Sequence, residues 1–293
     1  MGRLRRDLLW RMTLALGLVT LALAAMLLGA NLRAHRQQRA TYLRVYCLPV
    51  GEGDCTLIRT PDHHAVLVDA GSRESVPTVL AALQKLKVTR LDLLVLASSR
   101  PESVGGVPGL LAHVPVQEVW DNGSLDAGQA RSAALEAVRA RHIFSRIARA
   151  DLKEWIGGRK AQLSVLWPSE RSAPSVSDSL ICRLDYGETG ILFLGAAGSA
   201  AQDALVAETP ERLECDALFS GNANDNSGLS LELLRLAAPS VAVLSGGSRL
   251  PPAFGALHRL QAAGAGIWRS DTLGAISLST DGKEPPSMTS ARR

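Results

Sequence analysis

Six acidic side chains, Glu52, Asp54, Asp69, Glu102, Asp178 and Asp225, are the residues of this 293-residue chain that could gather a hard cation. Mg²⁺ prefers such oxygen ligands. Glu52, Asp54 and Asp69 lie in turn motifs, where a carboxylate is expected to accept hydrogen bonds from backbone amides. His63-His64, beside Asp62, is the nearest approach to a metal-binding pair and reads as the polar tip of a hairpin. Cys47, Cys55, Cys182 and Cys215 fall on or beside predicted strands without C-x-x-C spacing. They read as small buried hydrophobes, since a nucleophilic thiol needs a base that the sequence does not place nearby. Gly-Gly pairs at 105–106, 157–158 and 246–247 mark turns. None is a phosphate loop, because no Gly-Lys-Ser/Thr follows. Aromatic residues are 4% of the chain and are not interleaved with basic ones, so no stacking platform for single-stranded nucleic acid is indicated.

These residues need elements to position them. Leu43–Leu48 alternates as a strand does, Gly51-Glu52-Gly53-Asp54 is a turn, and Cys55–Arg59 and Ala65–Asp69 continue a hairpin. Helical spacing of Val76, Val79, Leu80, Leu83 and Leu86 predicts a helix over Ser75–Lys87. Leu91–Ala97 is almost wholly apolar, as suits a strand buried on both faces. Further strands are predicted at Val116–Trp120, Gln162–Trp167, Leu180–Tyr186, Gly190–Gly195, Ala217–Phe219, Val241–Ser245, Ile267–Arg269 and Ala275–Ser279. Helices are predicted at Ala127–Arg141, Ser199–Glu208, Leu229–Ala237 and Phe254–Ala263. Hairpins first and strand–helix alternation later suit two sheets covered by helices.

The charge is unevenly placed. Lys and Arg number 32 against 28 Asp and Glu, a net of +4. Residues 1–44 carry eight Arg and one acid, which leaves the rest of the chain at −3. A general phosphate-neutralising surface is therefore not supported. The 20% share of charged residues excludes wholesale disorder, and four Cys exclude a disulfide-dense scaffold. Residues 12–32 hold no charge, and as a helix they would extend about 30 Å, the thickness of a bilayer's hydrocarbon core. They are expected to form a single-pass membrane anchor with the globular part on the exported side. The rival readings are a signal peptide cleaved after Ala22-Leu23-Ala24 and a buried helix. The resulting division is a basic segment 1–11, the membrane helix 12–32, a linker 33–42, a domain 43–282 and a disordered tail 283–293.

The order Gly51-Glu52-Gly53-Asp54, Val68-Asp69-Ala70-Gly71 and then Gly105-Gly106 after a buried strand resembles the metallo-β-lactamase fold. More narrowly, it is similar to the hydrolase-like domain of ComEC-type DNA-uptake competence proteins, over residues 43–282. The resemblance implies a four-layer αββα sandwich and, in active relatives, two metal ions held by a His-x-His-x-Asp-His loop. This chain departs from that pattern. Ser98, Arg100 and Ser103 stand at the positions of the three histidines, and Glu102 stands at that of the aspartate. Asp178 falls in the stretch matching Asn-Asp-Asn-Ser, Ala196 at the bridging aspartate, and Asn222 at the start of the stretch matching His-His-Gly-Ser. None of the six histidines falls at a ligand position. The expectation is a degenerate domain with no zinc, a binding or scaffolding role in a membrane assembly, and DNA as a partner by family analogy only. Arg100 is expected to replace part of the lost metal charge and to pair with Glu102 or Asp178. The alternative is an active phosphodiesterase or nuclease using zinc or another divalent metal in a site rebuilt from Glu102, Asp178 and their neighbours.

Overall fold

In the computed structural model the compact unit runs from Leu43 to Arg293. The structure describes residues 42–125, 128–158, 160–169, 179–221, 223–226, 228–247 and 249–292, together with Met26 and Leu28. Fifteen strands are seen among the described residues, in two sheets.

The first sheet holds β1 (Leu43–Cys47), β2 (Thr56–Arg59), β3 (Ala65–Val68), β4 (Leu91–Leu96), β5 (Val116–Asp121) and β6 (Phe144–Ile147), with β14 (Ile276–Thr280) and β15 (Ser287–Ser290) beyond β1. The second holds β7 (Lys153–Ile156), β8 (Ala161–Trp167), β9 (Ile181–Tyr186), β10 (Thr189–Phe193), β11 (Ala217–Ser220), β12 (Val241–Leu244) and β13 (Gly266–Arg269) in spatial sequence. Hairpins build β1 to β3 and β7 to β10, while β3 to β6 and β10 to β13 are joined in parallel. Parallel neighbours need a crossover. The helices Val76–Lys85, Gln129–Ala140, Leu231–Ala237 and Phe254–Ala262 supply crossovers of this kind.

Three apolar clusters match the three interfaces of a four-layer αββα sandwich. One lies between the sheets, with Val45, Ile58, Val95 and Trp120 facing Leu163, Val165, Phe193 and Phe219. The second packs Leu57, Leu67, Leu94 and Leu96 against Val79, Leu83, Leu110 and Val138 of the covering helices. The third does the same for Leu166, Leu192, Leu218 and Leu244 under Leu205, Leu233 and Leu260. β4 carries side chains into both of the first two clusters, which is why its sequence is apolar except at Asp92, whose carboxylate accepts from Ala65 N–H and pairs with Arg90.

Two expectations are corrected. The tail is not disordered as expected: Ser287–Ser290 pairs antiparallel with β14, and Met288 packs on the inter-sheet cluster. Its Ser-Met-Thr-Ser sequence carries no apolar alternation because the strand is an edge. The single-pass membrane placement is also overturned: among the described residues no helix is long and apolar enough to cross a membrane. The longest described helix, Gln129–Ala140, has 12 residues, against the roughly 20 that a span needs. Residues 12–32, which prompted that expectation, lie outside the described residues except for Met26 and Leu28.

Candidate functional site

Loops that precede β2 or follow β3, β4, β10, β11 and β12 meet at one end of the sandwich, the end where open α/β sheets bind ligands. Asp54 enters it just before β2, and Asp69 just after β3. Both carboxyl groups are buried, Asp69 completely. With Thr56, Phe193, Gly195, Gly221 and Ser245 they line a cavity of about 20 Å³, room for one water molecule.

Each carboxylate buries one oxygen without a hydrogen-bond partner. Asp69 adopts φ 57°, a left-handed conformation that Asp tolerates better than most residues. Its Oδ1 accepts from Ala97 N–H at 2.8 Å and faces Ser98 N–H at 3.4 Å, tying β3 to the loop after β4. Its Oδ2 has no hydrogen-bond partner. Asp54 shares the cavity with the Ser245 hydroxyl, which lies 3.5 Å from Cys47 Sγ, and its Oδ2 is likewise unpartnered. A Cβ on Gly221 would stand 1.7 Å from Asp54 Oδ2, so only glycine allows β11's loop to approach this closely. Burial pushes the Asp54 carboxyl up, against the Ser245 hydroxyl and the Arg100 charge, which lower it. Asp69 is pushed well above the usual carboxylate range by burial and by the Asp54 charge, with its amide bonds opposing.

Arg100 crosses the mouth of this end. Its Nη2 donates to the Gly221 carbonyl at 3.3 Å, linking the loop after β4 to the loop after β11 in the other sheet. Its Nε is buried without a hydrogen-bond partner. Its backbone N–H donates to Ser98 Oγ at 3.1 Å. The charges its field reaches are Asp54 and Asp69, so the expected pairing with Glu102 is not what the geometry gives. Ser98 and Ser103 are buried, and Ser103 Oγ has no hydrogen-bond partner. Glu102 lines a different space, an open groove of about 840 Å³ between the helical elements around Arg73, Pro77, Pro108 and Ala130. A Cβ on Gly53 would stand 1.7 Å from the Glu102 carbonyl, so the 51–54 turn packs directly on this loop. Ala196 sits half-buried in the turn after β10. Asp178 and Asn222 lie outside the described residues.

Of the acids expected to bond turn amides, Glu52 does so twice, accepting from Arg249 N–H at 2.9 Å and Leu250 N–H at 3.0 Å. Asp69 does so with one oxygen. Asp54 does not: its carboxyl faces a cavity shared with Ser245 and Gly221, which come from far along the chain. Ser245 and Gly221 carried no local signal in the sequence. His63 and His64 occupy a turn, where Arg59 Nη2 lies 3.3 Å from His63 Nδ1 and Asp62 lies 3.5 Å from His64. All four cysteines are buried and free. Burial pushes Cys47 up to about 11 and Cys182 to about 12, which leaves them protonated and unreactive.

The fold's customary zinc pair needs imidazole, thiolate or carboxylate donors converging on each ion. Among the described residues no three His, Cys, Asp or Glu side chains converge in that way. Of the two carboxylates present, one has Oδ1 committed to a backbone amide, and a guanidinium shares their space. A fixed cation repels a dication at such range. The described residues do not fit a metal pair.

No family model matches the chain. No curated protein matches it either. Solved structures do. The metallo-beta-lactamase fold protein YhfI from Bacillus subtilis is 13% identical, with a TM-score of 0.53, over 80% of this chain and 98% of that one. Igni18, a novel metallo hydrolase from the hyperthermophilic archaeon Ignicoccus hospitalis, is 10% identical, with a TM-score of 0.51, again over 80% and 98%. At such identities the likeness shows the fold, and the chain has the metallo-β-lactamase fold.

Proposed function

We propose that this chain is a degenerate, ComEC-like domain of the metallo-β-lactamase fold that acts by binding or scaffolding and carries out no metal-dependent hydrolysis. The observation that carries the reading is Arg100. It stands where the resembling family places a histidine ligand, and its guanidinium reaches across the mouth of the site to Gly221. Two buried carboxyl groups and a cation make a self-contained polar cluster, in which the charge of Arg100 partly balances that of Asp54 and Asp69. A link to DNA uptake rests on the resemblance alone.

A rebuilt hydrolytic site would need Glu102 and Asp178 together; Asp178 lies outside the described residues, and Glu102 lines the groove among the helical elements, away from Asp54 and Asp69. The test is elemental analysis of the purified chain together with turnover of bis(p-nitrophenyl) phosphate. Substoichiometric metal and no chelator-sensitive turnover are expected. Stoichiometric zinc, manganese or iron with turnover lost on chelation would overturn the reading.

A further inference from the structure

Among the described residues β6 is the last strand of its sheet, with β5 on one side and no strand on the other. Phe144 is 61% and Ile147 63% exposed, and Ser145 is exposed between them. In a parallel ladder, alternate residues direct both backbone groups to the same neighbour. Ala148 N–H bonds Asp121 O at 2.8 Å, so Arg146 and Phe144 face β5 in the same way. Ser145 and Ile147 therefore direct their backbone N–H and C=O away from the sheet. Such an edge is a template for another strand. The usual protections are missing: the strand has no proline, no lysine and no bulge. Its one charge, Arg146, is held by Glu118 at 2.6 Å and lies 5.2 Å from the centre of the Phe144 ring.

We propose that β6 is a self-association edge, to which a second copy of this chain adds its own β6 antiparallel about a two-fold axis at Ser145, continuing the sheet through the dimer. A two-fold axis perpendicular to a sheet preserves its faces, so opposed residues must point to the same side. Two centres are available, Ser145 and Arg146. Centring on Arg146 opposes two guanidinium groups and turns towards the second copy backbone groups already bonded to β5. Centring on Ser145 brings outward N–H and C=O groups together. It opposes Arg146 with the aromatic ring of the second copy's Phe144, a cation against a π face. It also opposes Ile147 with the second copy's Ile143. Charge, apolar side chains and free backbone groups all match at that one register. This self-complementarity is what selects a second copy over an unrelated strand. β7 is the edge of the other sheet and follows β6 after five residues, and its Trp155 is 51% exposed. A contact centred on four-residue strands is small, so the dimer is expected to dissociate on dilution.

Sedimentation velocity of the full chain over a dilution series tests this. A concentration-dependent dimer is expected, and Ser145→Pro should be monomeric throughout while keeping its circular dichroism spectrum, because Ser145 N–H takes no part in the β5 ladder. Ser145→Cys, under mild oxidation, should give a disulfide-linked dimer that reducing agent dissolves. The four native thiols are buried and supply no background, and Glu211→Cys, exposed elsewhere, should stay uncrosslinked. A wild type that is monomeric at every concentration overturns the proposal. So does a dimer that persists in Ser145→Pro while Ser145→Cys fails to crosslink.

Discussion

Asp54 and Asp69 hold unbalanced polarity at the end of the sandwich where the loops meet. Each buries a carboxyl oxygen with no hydrogen-bond partner, and burial raises both groups. A carboxyl raised by folding binds its proton more tightly in the native state than in the unfolded chain. Its contribution to stability is therefore fully present below the unfolded value of about 3.9 and is lost as pH rises through the raised native value. Asp54→Asn keeps the shape, but it does not titrate. Urea unfolding across pH 4 to 7 should show wild type losing stability relative to Asp54→Asn as pH rises. Asp62 and Asp281, which are lowered and act with the opposite sign, are common to both proteins and cancel. A difference that stays constant across the range would refute the buried, raised carboxyl. At this scale the sequence was partly readable. The Gly-Glu-Gly-Asp and Val-Asp-Ala-Gly turns announced themselves locally, whereas Ser98, Arg100 and Ser103 stood out only through the resemblance. Asp54's dependence on Ser245 and Gly221 is a contact between distant segments, which no local pattern encodes.

The elements that apolar pattern missed share one physical property. β6, β7 and β15 are all edge strands, and their burial alternates weakly or not at all. A pattern that reports burial says little about a four-residue strand with at most one residue on the inter-sheet cluster. The short helices Pro101–Val104 and Val107–Leu111 were hidden for another reason: prolines and glycines dominate them and leave fewer than two turns of periodicity. By contrast β4, buried on both faces, was legible from its composition alone. β15 shows what such an edge does for the fold. It covers β14, Met288 packs on the inter-sheet cluster, and Ser277 and Thr289 hydroxyls meet at 2.7 Å across the pair. Ala291 N–H and Arg292 N–H also bond Ala275 O and Leu273 O. Removing residues 284–293 should cost about 1–3 kcal/mol, measured by urea unfolding, and should raise light scattering by leaving β14 as an open edge. A truncated chain with wild-type stability would return those residues to the status of a tail.

Across the whole molecule, three apolar interfaces join the two sheets to each other and to their covering helices. In small metal-dependent domains, ligand binding free energy is folding free energy. In this chain the loops at the binding end are tied by protein groups instead: Asp69 to Ala97, Arg100 to Gly221, Glu52 to Arg249 and Leu250, and Gly53 against Glu102. A metal bound only by the native state would stabilise it by about 2.7 kcal/mol at a hundred times its dissociation constant. For a domain of this length each kcal/mol moves the thermal midpoint by about 2–4 °C, so a real site would show itself as a rise of about 5–10 °C. Calorimetry of the full chain with excess zinc, and again after EDTA and desalting, should give the same midpoint in both cases. The same protocol with Arg100→His asks how much of the incompatibility is electrostatic. Replacing the fixed cation with a neutral imidazole donor beside Asp54 and Asp69 should permit a measurable zinc-dependent rise. If the wild type already gains 5 °C or more with zinc, Arg100 does not exclude the ion, and the site is a metal centre after all.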